Sequence, residues 1–336
     1  MARGRPKQEP VRQEDLEGFH HFRAIAPLLK SLRGCKDVPN RTLHYDQYVS
    51  LLLFYFFNPV LTSLRGIQQA SLFPKVQKKL GISRTSLGSL SESVRIFDPE
   101  LLADIIRELA GRAPNLVKVD ELDQLGKTLT AVDGSVLKAL PKMAWALWCD
   151  EQHRAAKLHL QLEVLKGTPA RADLTAGQAS ERAVLRESLE AGRLYIFDRG
   201  YVDYELFQAI LEVGSSFVGR LGANAVAEVI EDRPLTEADR EAGVLSDRIV
   251  RLGCEATRDK LQEPVRVVEV RLPADTTRPG SQGSPAQDVI LRLVTDQLDL
   301  PAEIIALCYR LRWTVELFFR WFKCILGCKH LLSTSK

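Results

Sequence analysis

From Thr128 to Thr295 short β-prone runs alternate with helical stretches, which confines the chain to layered α/β architectures. Thr128–Val132 (TLTAV) reads as a strand ending on Asp133, and 157–165 (KLHLQLEVL) alternates apolar and polar residues as a half-buried strand does. Residues 179–191 read as helix, Leu194–Phe197 as a short strand ending on Asp198, 204–213 as helix and 215–220 as strand. Between 222 and 288 the helical period fades. There 248–252 and 265–272 read as strands and 278–285 as a loop, so a β-rich insertion is expected. VILRLVT (289–295) returns as a buried strand, and Pro301 opens a long helix.

Residues 14–112 are helical in pattern. Phe19, Phe22, Ile25 and Leu28 recur at three- and four-residue spacing, and 48–57 reads as a buried helix ended by Pro59. Residues 76–80, the turn Gly81-Ile82-Ser83 and residues 84–97 read as two short helices around a glycine turn. Ser83, Arg84, Thr85 and Ser86 in this pair suit a DNA-reading helix-turn-helix, and an ordinary helical hairpin gives the same pattern. Ahead of them, Arg3-Gly4-Arg5-Pro6 resembles an AT-hook core. Arg3 and Arg5 are candidates for the narrow minor groove, against a solvated tail. The expected organisation is a basic arm (1–12), a helical domain with possible DNA binding (13–114), a first core part (115–221), the β-rich insertion (222–288) and a last core part (289–336).

The composition excludes several classes. Hydrophobic residues at 45% and charged residues at 26% are ordinary globular values, not those of a disordered chain. The longest apolar run, 49–57, is far short of the roughly 20 residues a membrane-crossing helix needs. The basic N-terminus has no apolar stretch behind it, so no secretory signal is expected. Six scattered cysteines fit reduced thiols and a cytoplasmic location. Cys324, Cys328 and His330 lack a second ligand pair, so no zinc site is expected. A net charge of +3 is compatible with nucleic-acid binding, because local patches set the field.

The candidate chemistry lies in three acids. Asp133 and Asp198 end strands, where α/β folds place their ligands, and Glu316 sits mid-helix in YRLRWTVELFFRWFK. At helical spacing Tyr309, Arg312, Trp313, Glu316, Arg320 and Lys323 share an arc of about 100°. Leu311, Val315, Phe318 and Phe322 form a separate apolar face. Two aspartates and a glutamate suit Mg²⁺, with Mn²⁺ able to substitute. Two ions roughly 3.5–4 Å apart activate a water or 3′-hydroxyl and stabilise the leaving oxygen. Arg312, Arg320 and Lys323 would hold a phosphate backbone, and Trp313 offers a ring for stacking a base.

The spacing Tyr309-x2-Arg312-x3-Glu316-x6-Lys323, with AVDGS, FDRGY and LVTDQLDLPAEIIALCYRLRW in order, resembles the bacterial insertion-sequence DDE transposases of the Tyr-Arg-Glu-Lys class. The resemblance covers about residues 115–330. It implies a ribonuclease H-like α/β core interrupted by a β-rich insertion and preceded by an all-helical N-terminal domain. Asp133, Asp198 and Glu316 become the catalytic, metal-binding triad. Tyr309, Arg312 and Lys323 become phosphate contacts near the cleaved end, and Arg199, Gly200 and Tyr201 shape the loop beside the second aspartate. In relatives that pass through a DNA hairpin, a tryptophan next to the signature arginine accommodates a flipped base, and Trp313 sits there.

The implied activity is DNA cleavage at element ends and strand transfer, without a covalent protein–DNA intermediate. The implied partners are double-stranded DNA at element ends and target, and a second copy of the chain on DNA, in a bacterial, nucleoid-associated setting. Family members usually continue for tens of residues beyond the point where this chain stops, so a shortened copy is also expected. The alternatives are a non-catalytic DNA-binding remnant or inhibitor of transposition, and a metal-dependent nuclease without strand transfer. Asp120, Glu121 and Asp123 read as a polar loop, His159 as a structural histidine, and Trp145 and Trp148 as packing near a Pro141 turn.

Overall fold

A computed structural model describes residues 10–35, 41–117, 120–123, 125–138, 146, 155–272 and 289–326. Arg3, Arg5, Pro141, Trp145, Trp148, the 278–285 loop, Cys328, His330 and the last ten residues lie outside the described residues. The chain divides into two compact units, one of residues 1–112, 137–145 and 320–336, the other of 113–136 and 146–319. No described helix is long and apolar enough to cross a membrane.

In the first unit α1 (Phe22–Leu29), α2 (Tyr45–Phe56), α3 (Leu64–Ala70), α4 (Pro74–Leu80), α5 (Leu87–Ile96) and α6 (Ala103–Arg112) pack around Leu51, Phe54, Ile67, Val76 and Leu90. Pro74 starts α4 where its missing N–H costs nothing, and Gly81 ends it at φ +66°, which a side chain disfavours. The second helix of this pair starts at Leu87 rather than at residue 84. Ser86 caps it by accepting from the Ser89 amide, so the preceding residues stay extended. Thr85 is buried, its amide donating to the Ser71 hydroxyl. Of the four polar residues at the turn, Thr85 and Ser86 are thus occupied structurally, and Ser83 and Arg84 stay exposed.

Among the described residues the second unit is built on nine strands: β1 (Thr128–Lys138), β2 (Ala155–Glu163), β3 (Thr168–Ala176), β4 (Arg193–Phe197), β5 (Ser216–Leu221), β6 (Ala227–Asp232), β7 (Val244–Leu252), β8 (Val265–Leu272) and β9 (Val289–Thr295). Their order is β3-β2-β1-β4-β5-β9-β8-β7-β6. β1, β4 and β5 run parallel, β2 and β3 pair antiparallel, and β9, β8, β7 and β6 continue antiparallel from β5.

Along β1, β4 and β5 successive side chains alternate between two cores. Ala131, Ile196 and Val218 face one core, under α11 (Ala302–Leu311) and α12 (Trp313–Cys324). Val132, Tyr195, Phe197 and Phe217 face the other, under α8 (Glu181–Glu187) and α9 (Tyr204–Glu212).

Three expectations differ from the structure. β1 does not end at Asp133. Its pairing with β4 stops at Ala131–Ile196, but the strand runs on to Lys138 with β2 on its other side. The acidic run 120–123 is one helical turn, α7, anchored by buried Leu122, rather than a loop. The segment 222–272 is β-rich, and its strands β6, β7 and β8 extend the same sheet by way of β9. The long helix after Pro301 is two helices meeting at Arg312, where the bonds Arg312 N–H to Tyr309 O and Val315 N–H to Arg312 O tighten the turn. Within α12 Phe319 is buried with Val315, and Phe318 and Phe322 are only partly buried.

Candidate catalytic site

Asp133 and Asp198 each lie two residues beyond the paired positions Ala131 and Ile196 on adjacent parallel strands. Side chains repeat every second residue along a strand, so both aspartates leave the sheet on the face that α11 and α12 cover. The two side chains are held differently. Asp133 is mostly buried and accepts from the Gly134 amide at 2.9 Å. Asp198 caps the turn Arg199–Tyr201, accepting from the Arg199 amide at 2.7 Å, and its side chain is 47% exposed.

The helices deliver the rest. Tyr309, buried at the end of α11, donates its hydroxyl to Asp198 Oδ1 at 3.2 Å. Burial and the nearby Asp198 push the Tyr309 phenol up to about 12, so it stays a donor. Arg312, at the helix junction, pairs with Glu316 in the first turn of α12 at 2.6 Å, and its guanidinium lies 5.7 Å from the Tyr309 ring centroid. Its Nε–H is buried without an acceptor. Burial alone would lower the Arg312 guanidinium, but Glu316, Tyr309 and Asp198 together outweigh it, and the net shift is upward.

Asp133, Asp198, Tyr309, Arg312 and Glu316 therefore come together in the second unit. Trp313 is exposed on the turn beside them. Arg199 is exposed and lines an open hollow of about 530 Å³ with Tyr204, Asn224 and Lys260. Tyr201 is buried, so it shapes the loop from within rather than from its surface. Arg320 and Lys323 lie farther along α12, among residues of the first unit. His159 is buried on β2 and hydrogen-bonded through Nε2 to Thr175 at 2.8 Å.

Sequence reasoning missed three charged neighbours. Arg220, at the end of β5, reaches within 3.8 Å of Asp198. Glu181, at the start of α8, lies against Gly134, and Lys157 on β2 pairs with it at 3.3 Å. Arg220 closes the apolar run SSFVGR, and a charge ending a buried strand next to two strands that end on aspartate was the available signal.

The donor set is all hard oxygen, which suits a divalent Mg²⁺-like ion rather than a soft one. Among the described residues no three His, Cys, Asp or Glu side chains form a ready-made metal cluster. Glu316 is turned onto Arg312. The fit to a divalent ion rests instead on Asp133, a largely buried carboxylate with two further acids close enough to act on it.

Burial pushes the Asp133 carboxyl up to about 6. Gly134 N–H and Arg312 pull it down, and Glu181 and Glu316 push it up. The folded value exceeds the unfolded one, so the stability this group contributes is complete below about pH 4 and is lost as pH rises through 6. Asparagine has no such proton to lose. In EDTA, Asp133→Asn should therefore gain about 1 kcal/mol on wild type between pH 5 and pH 8. Thermal melts should show the gap widening by a few degrees; an equal gap at both pH values would contradict the burial of this charge.

The sequence profile of the family described as "Transposase DDE domain" matches residues 124–336. A transposase of Sinorhizobium fredii is 30% identical over 185 residues, covering 54% of this chain and 48% of that protein. A transposase for insertion sequence element IS5377 of Geobacillus stearothermophilus is 27% identical over 212 residues, covering 62% and 52%. The chain spans about half the length of the curated relatives it matches. The cryo-EM structure of a piggyBac transposase synaptic complex with hairpin DNA aligns at a TM-score of 0.41 and 9% identity, over 90% of this chain and 64% of that one.

Proposed function

The chain belongs to the DDE transposase domain family, and from that premise we propose that it is an insertion-sequence transposase of the Tyr-Arg-Glu-Lys class, cutting DNA at element ends and joining the freed 3′ ends to target DNA. One observation carries the reading. Asp133 and Asp198 stand in register on neighbouring parallel strands, and Tyr309, Arg312 and Glu316 come down on the same face. The strand order β3-β2-β1-β4-β5, with antiparallel β2 and β3 beside parallel β1, β4 and β5, supports the ribonuclease H-like reading of the core.

Asp133, Asp198 and Glu316 would hold Mg²⁺ or Mn²⁺. When bound, the ions would lower the pKa of an attacking water or 3′-hydroxyl and stabilise the leaving oxygen. The chain's own residues do the rest. Tyr309 and Arg220 both approach Oδ1 of the Asp198 carboxylate and hold its charge in place. Arg312 neutralises Glu316 and would turn the exposed part of its guanidinium to a phosphate oxygen. Trp313 offers an exposed ring beside that arginine, placed to stack on a base. Arg320 and Lys323 would continue the backbone contacts along α12. Arg3 and Arg5 would add minor-groove contacts, and a dimer on paired ends would present two sites.

The test uses labelled DNA carrying the ends that flank the gene, purified full chain, and Mg²⁺ or Mn²⁺. Cleavage at the ends, followed by joining of a pre-cut end to plasmid DNA, is the expected result. Cleavage without joining would identify a nuclease, and binding without cleavage a non-catalytic copy.

A further inference from the structure

We propose that α4 and the extended run that follows it form a DNA contact of the first unit, one that grips phosphates without reading bases. Its partner is the backbone of double-stranded DNA. The choice of DNA among polyanions rests on the transposase reading.

Between Asp46 and Glu92 the chain carries Arg65, Lys75, Lys78, Lys79 and Arg84 and not one carboxylate. All five cations are exposed, and none forms an ion pair with a described residue. Asp46, the acid that precedes them, is already held by Arg33 at 2.9 Å. Local patches rather than the total charge set the field around a protein, so this stretch is strongly positive in a chain of net charge +3.

The fold gathers four of these cations. Along α4 the residues 75, 78 and 79 fall within an arc of about 100°, while Val76 and Leu80 are buried in the core. Gln77 donates its side-chain amide to the Ser71 carbonyl at 2.9 Å, and the Ser71 hydroxyl accepts from the Thr85 amide at 3.2 Å. Ser71 thus joins α4 to the run 82–86 and holds the segment carrying Arg84 against it.

Helix stability does not account for all of these charges. The helix dipole favours Lys78 and Lys79 in the last turn of α4. It opposes Lys75 in the first turn of α4 and Arg65 in the first turn of α3, and neither turn contains an acid to offset the cation. Cations kept where the local backbone is already positive, with no acid beside them, fit a surface that meets a polyanion from outside.

The same contacts decide how DNA is held. Thr85 is buried and Ser86 caps α5, so neither hydroxyl is turned to a ligand. The outward residues of the first two turns of α5 are Leu87, Gly88, Ser91 and Glu92, which offer a base edge one hydroxyl and one carboxylate and no cation or amide. Lysines on the neighbouring helix act as point charges toward phosphates, which fix position but carry no sequence.

The experiment measures binding of the full chain to labelled duplexes by fluorescence anisotropy, in EDTA so that nothing is cut, over a series of salt concentrations. Lys75→Gln/Lys78→Gln/Lys79→Gln should lower the slope of log affinity against log salt by about 2–3. It should weaken binding by the same factor on an element-end duplex and on one of unrelated sequence. Lys75→Arg/Lys78→Arg/Lys79→Arg should bind like wild type, and both variants should melt within a few degrees of it because the side chains are exposed. An unchanged slope and affinity in the glutamine variant would make the lysines a solvated surface and overturn the proposal, while cleavage of element ends by wild type in Mg²⁺ would leave the transposase reading intact. Weakening confined to the element-end duplex would mean base reading and also overturn it, as would wild-type binding to anionic lipid vesicles but not to duplex. If element ends are never cut and the slope still falls as expected, the transposase reading fails and this surface stands as a DNA contact.

Discussion

Asp198→Asn should slow metal-dependent cleavage of element ends by a factor of about 10³ or more, with a melting temperature in EDTA within a few degrees of wild type. The two halves of that expectation have separate grounds. Asp198 is half-exposed and the asparagine oxygen still accepts from the Arg199 amide and the Tyr309 hydroxyl, so little stability is at risk. What asparagine removes is the negative charge on which Tyr309 and Arg220 converge. Cleavage rates and melts of the same preparation check both halves, and retained cleavage would remove Asp198 from the chemistry.

The second large effect lies away from the acids. Arg266 on β8 is the largest fully buried side chain among the described residues. It forks onto Asp247 of β7 with two bonds of 2.7 Å and also donates to the carbonyls of Gln297, Leu298 and Leu300. Those carbonyls belong to the loop between β9 and α11, so the antiparallel strands fasten the segment that launches the helices carrying Tyr309, Arg312 and Glu316. Arg266→Met leaves Asp247 charged and alone in the core, and should cost about 3–5 kcal/mol. For a unit of this size that lowers the melting temperature by roughly 10 °C. Removing both charges in Asp247→Leu/Arg266→Met should restore much of the loss, because the desolvation penalty disappears with the pair. A double variant as unstable as the single would show that the carbonyl contacts, not the unpaired charge, dominate.

The parts of this fold legible in the sequence are those buried on both faces. β4, β5 and β9 are predominantly apolar, and their bounds fall within a residue or two of the expected ones. β3 and β6 went unread because each is a sheet edge. In TPARADLTA no residue is fully buried, and in AEVIED five of six are exposed, so no alternation is imprinted. The break at Arg312 was hidden for a different reason: no proline or glycine marks it, and it consists of two shortened hydrogen bonds.

For the site, Asp133, Asp198 and Glu316 stood out by position in the sequence and remain a proposal as a catalytic set. Glu181 did not stand out, because it belongs to a helix start and meets Gly134 only through the stacking of α8 on the sheet.

The central claim, that Asp133, Asp198 and Glu316 hold one divalent-cation site, is tested most directly by loading the full chain with Fe²⁺ and mapping where ascorbate-driven hydroxyl radicals cut the backbone. The expected result is scission clustered beside residues 133, 198 and 316, suppressed by excess Mg²⁺ and absent in Asp133→Asn. Scission elsewhere in the chain, or an unchanged pattern in Asp133→Asn, would contradict it.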